Sequence, residues 1–417
     1  MNIYAIIILS TLIIEFLLSV FAEILNLSHL KKELPEEFKG VYDKEKYAKS
    51  QEYERVNTRF GFISSGVSLV ITLSFWFLGG FNYLDIFVRS WQLSPIWTGL
   101  IYIGILVFLN SLISLPFSIY STFVIEERFG FNKTTVKTFI LDLLKMLMLS
   151  VLLGVPLLAG LLAFFQYSGS FAWLYAWAAT TVFTLIIQFI APTWIMPLFN
   201  KFTPLEDGEL KNSIISYAKK VKYPLAGVFV IDGSKRSSKS NAFFTGFGKN
   251  KRIALYDTLI AKHSIPEMVA ILAHEIGHYK KKHILIGMII SILHTGVVFF
   301  LLSIFLTHKG LFDAFYMEHT SIYAGLLFFS MLYSPIETIL GVFMNIRSRH
   351  NEFEADRFAA ETIDDPEAMV TALKNLSVHN LTNLTPHPFY VFLNYSHPPV
   401  LQRIKAIRKV KRRQSLA

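Results

Sequence analysis

Two histidines four residues apart carry the most specific chemistry in the sequence. They belong to the run His274-Glu275-Ile276-Gly277-His278, whose spacing places both imidazoles on one face of a helix. Both rings could therefore bind one metal ion, and the glutamate beside the first ring could activate water at that ion. Zinc suits such a site because it accepts nitrogen and oxygen ligands and keeps a position open for water in enzymes. A run this short also arises by chance, so a histidine-bearing surface helix is an equal alternative for the run alone.

A second segment, near the C-terminus, offers the carboxylate that a third ligand position requires. Glu352 and Asp356 are four residues apart and share a helical face, although an exposed acidic helix would show the same pattern. One carboxylate could bind the metal while the other accepts a hydrogen bond from a ligand imidazole and fixes its tautomer. Glu354 points to another side of the helix, so we expect it to be solvated. Because the chain has no cysteine, any metal ion must be held by histidine and carboxylate.

The elements that would position these residues can be read from local patterns. Ser264-Ile-Pro-Glu267 has the form of a capping box and predicts a helix that begins there and runs through Tyr279. Before it, a helix is predicted at about 206–221, followed by three short β-like runs, 227–231, 241–244 and 252–256. The segment 248–251 has the composition of a hairpin turn between the last two runs.

The composition indicates a protein embedded in lipid. Hydrophobic residues make up 53% of the 417 residues, charged residues only 17%, and the mean hydropathy is +0.45. These values exclude a disordered chain, a collagen-like fibre and a nucleic-acid-binding module. Seven apolar segments are long enough to cross a bilayer, at about 3–24, 61–84, 97–124, 138–165, 171–197, 284–307 and 321–344.

The basic residues predict how these spans are oriented. With seven spans, 37 of the 40 Lys and Arg residues fall in segments on one side of the membrane. By the positive-inside rule that side is cytosolic, so the N-terminus is predicted to lie outside. The net charge of +10 therefore reflects topology and requires no nucleic-acid partner.

We expect an α-helical polytopic membrane protein with a cytosolic α+β domain formed by two separate segments. Residues 1–200 would hold the first five spans, 201–283 the sheet and the histidine helix, 284–344 the last two spans, and 345–417 the acidic segment and C-terminal helices. The final segment ends in a basic tail at 403–413.

Several ionisable residues lie in or beside the spans, where a charge is costly unless it faces protein or water. They are Glu15, Asp142, Lys145, His283, His294 and Glu337. Asp142 and Lys145 are three residues apart and predict a mutual pair. For Glu15 and Glu337, hydrogen bonding between helices is favoured over lining an internal space. A structural role is expected for His294, and the role of His283 is left open.

The sequence resembles the type-I CAAX prenyl endopeptidases, integral-membrane zinc metallopeptidases of the gluzincin kind. Matching stretches follow one another in the family's order along nearly the whole chain: Phe123–Asn132, Lys201–Leu205, Gly233–Ala242, the 274–278 helix, Glu352–Asp356 and Ser396–Pro399. The resemblance implies seven transmembrane helices around a large chamber, with one zinc ion at its cytosolic end. It also implies protein or peptide substrates that end in Cys-aliphatic-aliphatic-X, prenylated on the cysteine, from which the last three residues are removed.

The resemblance assigns roles to individual residues. His274, His278 and Glu352 would be the zinc ligands, Glu275 the general base, and Asp356 the partner of a ligand histidine. His397 would stabilise the oxyanion of the tetrahedral intermediate; from the sequence alone it reads as an ordinary loop histidine. The run Asn241-Ala242-Phe243-Phe244 would be the edge strand on which an extended substrate lies, and an inner strand is the alternative.

Other functions remain open at this level. A membrane quality-control protease without a prenyl requirement would use the same machinery, and the host's proteins with C-terminal Cys motifs would discriminate between the two. A metal-regulated transporter is disfavoured because Glu275 has a role in hydrolysis and none in a structural site, and an inactive scaffold is disfavoured by the intact motif. The endoplasmic reticulum membrane and a bacterial cytoplasmic membrane both fit, and the sequence does not indicate an oligomeric state.

Overall fold

Seven long apolar helices form most of the fold, as the sequence predicts. The structure is a computed structural model of the chain and describes residues 1–245 and 251–414. The seven spanning helices are α1 (Ile3–Ser28), α2 (Lys44–Phe77), α4 (Pro95–Phe129), α5 (Val136–Tyr167), α6 (Gly169–Phe199), α10 (His283–Phe305) and α12 (Ile322–Thr362). The short helix α3 (Gly80–Arg89) follows α2, because Gly79 adopts a left-handed conformation (φ 73°) that ends the span before residue 84, where the sequence placed its end.

The spanning helices close into a ring. α1 contacts α2, α4 contacts α5, α5 contacts α6, α6 contacts α10, and α10 contacts α12, which returns to α1. Helix α3 bridges α2 and α4. At most 22% of the apolar window of any span is buried inside the protein. Helix α12 also contacts α4 and α5, and most apolar side chains of the spans stay unburied, as suits helices that face lipid.

Three spanning helices contain a turn of π-helix, at Ser121–Glu126 in α4, Ser150–Gly154 in α5 and Ala191–Ile195 in α6. Pro156 lies two residues after the second turn and Pro192 lies within the third. Proline has no N–H to donate to the helical ladder, so such turns are where a long helix changes direction.

The C-terminal half of the chain contains a small mixed sheet. Its strands are β1 (Phe202–Pro204), β2 (Leu225–Ile231), β3 (Ala242–Thr245) and β4 (Lys251–Tyr256), in the order β1-β2-β4-β3. β2 and β4 are parallel, and the two outer pairs are antiparallel. The three predicted strands are confirmed, whereas β1 is too short to leave a pattern in the sequence. Most of the predicted turn at 248–251 lies outside the described residues.

Further helices complete the fold. They are α7 (Glu209–Lys220), α8 (Asp257–Ile260) and α9 (Ile265–Lys280), with α11 (Lys309–Asp313) on the far side of the membrane ring, and α13 (Pro366–His379), α14 (Pro388–Asn394) and α15 (Val400–Gln414) after the last span. A core that includes Ile253, Leu255, Leu272, Ile276 and Ala359 joins the sheet to α9 and to the end of α12. The two predicted cytosolic segments therefore share one core.

One local prediction, the capping box, was wrong, and the predicted Asp142–Lys145 pair is present but secondary to a closer partner. Ser264 is the residue before α9, but its side chain makes no capping bond, and Glu267 instead contacts the His263 ring at 2.7 Å. Asp142 accepts two hydrogen bonds from Arg236, at 2.7 and 2.9 Å. Lys145 lies 4.0 Å from that carboxylate and donates to a backbone carbonyl. Asp142 takes its closer partner from 94 residues away, which spacing along a helix could not reveal.

The remaining polar residues of the spans bind across helices, as favoured above. Thr338 donates a hydrogen bond to Glu15, which links α12 to α1. Glu337 lies 3.4 Å from His294, and the His294 ring also contacts the Tyr333 hydroxyl at 3.2 Å. His294 is thus partnered within the ring of helices.

A candidate metal centre and active-site cavity

The candidate site lies where α9 crosses α12. A Cβ atom added to Gly277 would lie 3.0 Å from the Ala355 Cα and 3.1 Å from its carbonyl oxygen. Only glycine allows the two backbones to approach so closely, and fully buried Ala273, Ala355 and Ala359 line the same crossing. This close approach brings a carboxylate of α12 within reach of both histidines of α9.

The three predicted ligands converge at the crossing. The His274 and His278 Nε2 atoms are 3.2 Å apart. The Glu352 carboxylate lies 3.3 Å from the first ring and 3.2 Å from the second. One ligand atom from each residue falls in a group whose members are all within 4.8 Å of one another.

The chemistry of this donor set fits a metal ion. Glu352 Oε2 is buried and has no hydrogen-bond partner among the described residues. Two imidazole nitrogens that face each other at this distance cannot both carry a proton, so at least one presents a lone pair to the space that they share with Glu352. Two nitrogens and one carboxylate oxygen match the protein ligands of catalytic zinc sites, which leave a further position open.

Asp356 lies beside the first ligand histidine. His274 Nδ1 is 2.8 Å from Asp356 Oδ1, so its N–H donates to the carboxylate and leaves Nε2 free to bind a metal ion. Burial lowers the pKa of His274, but the neighbouring Asp356 and Glu352 carboxylates outweigh this effect and raise it to about 9. In the metal-free protein this ring therefore holds a proton that metal binding must displace.

Arg403 completes the site, and the sequence analysis missed it. Its guanidinium donates to both Asp356 oxygens at 2.8 and 2.7 Å and lies 3.4 Å from Glu352 Oε2. Burial lowers the pKa of Arg403, and the Asp356 carboxylate raises it above its ordinary value, so the side chain stays charged. The sequence analysis placed Arg403 at the start of the basic tail. The signal that could have pointed to the site is its position four residues after Pro399, which ends the Ser396–Pro399 stretch.

A cavity of about 670 Å³ opens beside these ligands. Glu275 lines it, and so does His397, whose Nε2 lies 3.4 Å from Glu352 Oε1. The His397 side chain is 64% exposed, so its ring is accessible to a molecule in the cavity. The Ser396 hydroxyl contacts the other ring nitrogen at 2.9 Å.

Strand β3 lies at an edge of the sheet and borders the same cavity. Asn241 and Ala242 line the cavity, and Phe243 and Phe244 continue the strand. The Tyr256 N–H donates to the Asn241 carbonyl, so in this antiparallel pair the main-chain groups of Ala242 point away from β4. The sequence could not decide between an edge and an inner strand, and the sheet order places β3 at the edge.

Glu354 and His283 meet near the ligands. The Glu354 side chain is 39% exposed, in line with the predicted solvated charge, and it also lies 3.0 Å from the ring of His283. His283 in turn lies 3.0 Å from the ring of His278. The pair was hidden in the sequence because 71 residues separate its members.

Comparisons with known proteins cover nearly the whole chain. Residues 23–201 match the family model described as "CAAX prenyl protease N-terminal, five membrane helices", and residues 204–411 match the model of peptidase family M48. The chain is 36% identical to CAAX prenyl protease 1 of Saccharomyces cerevisiae over 91% of this chain and 90% of that protein. It is 35% identical to an Arabidopsis thaliana homologue over 95% of each chain.

The fold agrees with a solved relative. The crystal structure of S. mikatae Ste24p superimposes with a TM-score of 0.92 at 34% identity, covering 98% of this chain and 99% of the other. The seven-helix ring and the soluble domain are therefore shared with that protein. The chain belongs to the CAAX prenyl protease 1 family within peptidase family M48, and it is an integral-membrane metalloendopeptidase.

Proposed function

We propose that the protein is a zinc-dependent endopeptidase that removes the last three residues of prenylated proteins ending in Cys-aliphatic-aliphatic-X. The observation that carries the proposal is the convergence of His274, His278 and Glu352 beside a cavity that Glu275 and His397 also line. The name of the yeast relative, CAAX prenyl protease 1, supports the choice of substrate. One zinc ion would be held by the two imidazoles and the carboxylate.

The residues of the cavity would divide the chemistry between them. When bound, zinc supplies a Lewis acid that polarises the scissile carbonyl and acidifies water. Glu275 accepts the proton of the attacking water and later delivers it to the leaving amine. His397 donates a hydrogen bond to the oxygen that becomes negative. Asp356 and Arg403 keep His274 in the tautomer that presents Nε2.

Strand β3 would hold the substrate in an extended conformation. Its outward main-chain groups can pair with a peptide strand, which gives affinity without reading side chains. The cavity borders this edge from Asn241 and Ala242 onwards. A peptide aligned there would pass its scissile bond across the metal ligands.

The catalytic half would face the cytosol. Residues 201–283 and 345–417 would act as one catalytic unit, because Ala359 packs in the core formed by the sheet and α9. The basic residues cluster in the same segments, which supports an N-terminus on the outer side. C-terminal peptides of cytosolic proteins could then reach the site.

Matched peptides test the proposal directly. The purified full chain is offered farnesylated and unmodified versions of one peptide that ends in Cys-aliphatic-aliphatic-X, with and without a zinc chelator. Cut sites are mapped by mass spectrometry. We expect a single cut after the prenylated cysteine, its loss on chelation, and its return on addition of zinc. Equal cleavage of both peptides at scattered bonds would indicate a quality-control protease and contradict the proposed substrate.

A further inference from the structure

The turn between the metal-site helix and the membrane ring points a histidine back towards the metal ligands. α9 ends at Lys280, and Lys282 adopts a left-handed conformation (φ 60°) before α10 begins at His283. This sharp turn buries the His283 side chain to 6% exposure against the ring of His278. The first side chain of a membrane helix therefore touches a metal ligand.

Two hydrogen bonds form a chain behind His278. His278 Nδ1 lies 3.0 Å from His283 Nδ1, and His283 Nε2 lies 3.0 Å from Glu354 Oε2. The chain joins three elements, since His278 is on α9, His283 on α10 and Glu354 on α12. Glu354 is the carboxylate that spacing alone assigned to solvent.

Proton accounting fixes the direction of the chain. His278 must present an unprotonated Nε2 to a metal ion, so its proton sits on Nδ1. That N–H needs an acceptor, and the nearby His283 Nδ1 provides one. The His283 proton is then on Nε2, where Glu354 accepts it. The reverse order would put a proton on the metal-facing nitrogen and set a lone pair against a carboxylate.

The two ligand histidines are thus held by different means. His274 donates directly to Asp356 at 2.8 Å, and that carboxylate is held by Arg403. His278 reaches its carboxylate only through an intervening imidazole. Partners of this kind orient ligand rings in metal sites, and their removal typically weakens metal binding about 10–100-fold.

We propose that His283 and Glu354 are positioning residues that orient His278 for metal binding and tie the cytosolic end of α10 to the metal site. The inference rests on the proposed metal centre. His283 contacts the back of a ligand ring, so it acts through His278 and not on the substrate. A shift of α10 at its first turn would change the orientation of that ligand.

A graded set of variants tests the chain. His283→Leu removes the acceptor, and His283→Asn restores an oxygen near the former Nδ1 position. Glu354→Leu removes the carboxylate, and Glu354→Gln keeps an acceptor for the His283 N–H. Glu361→Leu is the matched control, because it removes an exposed carboxylate from the same helix, α12.

The primary measurement is zinc affinity of each purified full-length variant by chelator competition. The absorption spectrum of the cobalt-substituted protein is the second readout. We expect zinc binding to weaken about 10–100-fold in His283→Leu and less in Glu354→Leu. His283→Asn and Glu354→Gln should lie closer to the wild type, and Glu361→Leu should match it. The absorption bands of bound cobalt should shift in His283→Leu and Glu354→Leu only.

The proposal is overturned if folded His283→Leu and Glu354→Leu bind zinc as tightly as the control. It is also overturned if the Asn and Gln variants lose as much affinity as the Leu variants, since acceptor geometry would then not matter. If His283→Leu does not fold, the two Glu354 variants decide the same question. Zinc affinity is measured without substrate, so a failed peptide assay would refute the proposed function and leave this test intact.

Discussion

The metal-site crossing and the membrane ring hold their polar residues in opposite ways. At the crossing of α9 and α12, Asp356 is 1% exposed and shares its oxygens between Arg403 and His274. In the ring, Glu15 is bound by a single threonine and its surroundings are apolar helix. Asp356 in the crossing has several partners whose loss is coupled, whereas Glu15 in the ring has the Thr338 hydroxyl. Substitutions should therefore have large, connected effects in the first region and small, separate ones in the second.

The largest effect is expected at Glu275, the proposed general base. Glu275→Gln keeps the size of the side chain but cannot accept a proton, so turnover should fall about 10²–10⁴-fold. Zinc content, measured by elemental analysis, should stay at the wild-type level because Glu275 is not among the three ligands. Normal turnover in this variant would remove Glu275 from the mechanism.

Arg403 tests whether the crossing behaves as one network. Arg403→Met leaves Asp356 buried without its cation, which should cost about 3–5 kcal/mol of stability. Arg408→Met, on the same helix, breaks a more exposed contact to Glu37 and should cost below about 1 kcal/mol. Thermal unfolding of both variants in detergent gives the difference, and equal costs would contradict the distinction between the two sites.

His397 extends the comparison to the exposed side of the cavity. His397→Ala should lower kcat about 10²–10³-fold with KM little changed, because its hydrogen bond would form only in the transition state. Its ring is 64% exposed, so folding stability should be unaffected. A raised KM with an unchanged kcat would instead make His397 a substrate contact.

The residues that could be predicted from the sequence are those whose partners lie on the same helix. His274 with His278, and Glu352 with Asp356, share a helical face, so spacing sufficed to place each pair. The seven spans followed from length and hydropathy, which leave little choice to a chain in lipid.

The residues that escaped prediction have partners far along the chain. Arg403 reaches residues 47 and 129 positions away, and Glu354 reaches one 71 positions away. The capping-box pattern failed because Glu267 turns back to His263, four residues earlier, and also binds Asn375 on α13. Local patterns locate the elements, but the packing of elements against each other decides which partner a polar side chain binds.

The proton on His274 makes metal binding in the crossing depend on pH. Its pKa is raised to about 9, so its contribution to the stability of the metal-free protein is complete below about pH 6.5 and lost as pH rises through 9. Zinc must displace this proton, so apparent affinity should increase about tenfold per pH unit up to pH 9. Calorimetry in two buffers of different ionisation heat measures the proton released at pH 7.5, and no release would contradict a protonated ring.

The smallest effect is expected in the membrane ring. Thr338→Val keeps the shape of the side chain and removes its hydrogen bond to Glu15, which joins α12 to α1. Interhelical hydrogen bonds in membranes contribute about 0.6 kcal/mol on average, because the separated helices find other polar partners. Thermal unfolding should shift little and zinc affinity should not change. A loss as large as that of Arg403→Met would mean that the ring also depends on single polar contacts, and the contrast between the two regions would fail.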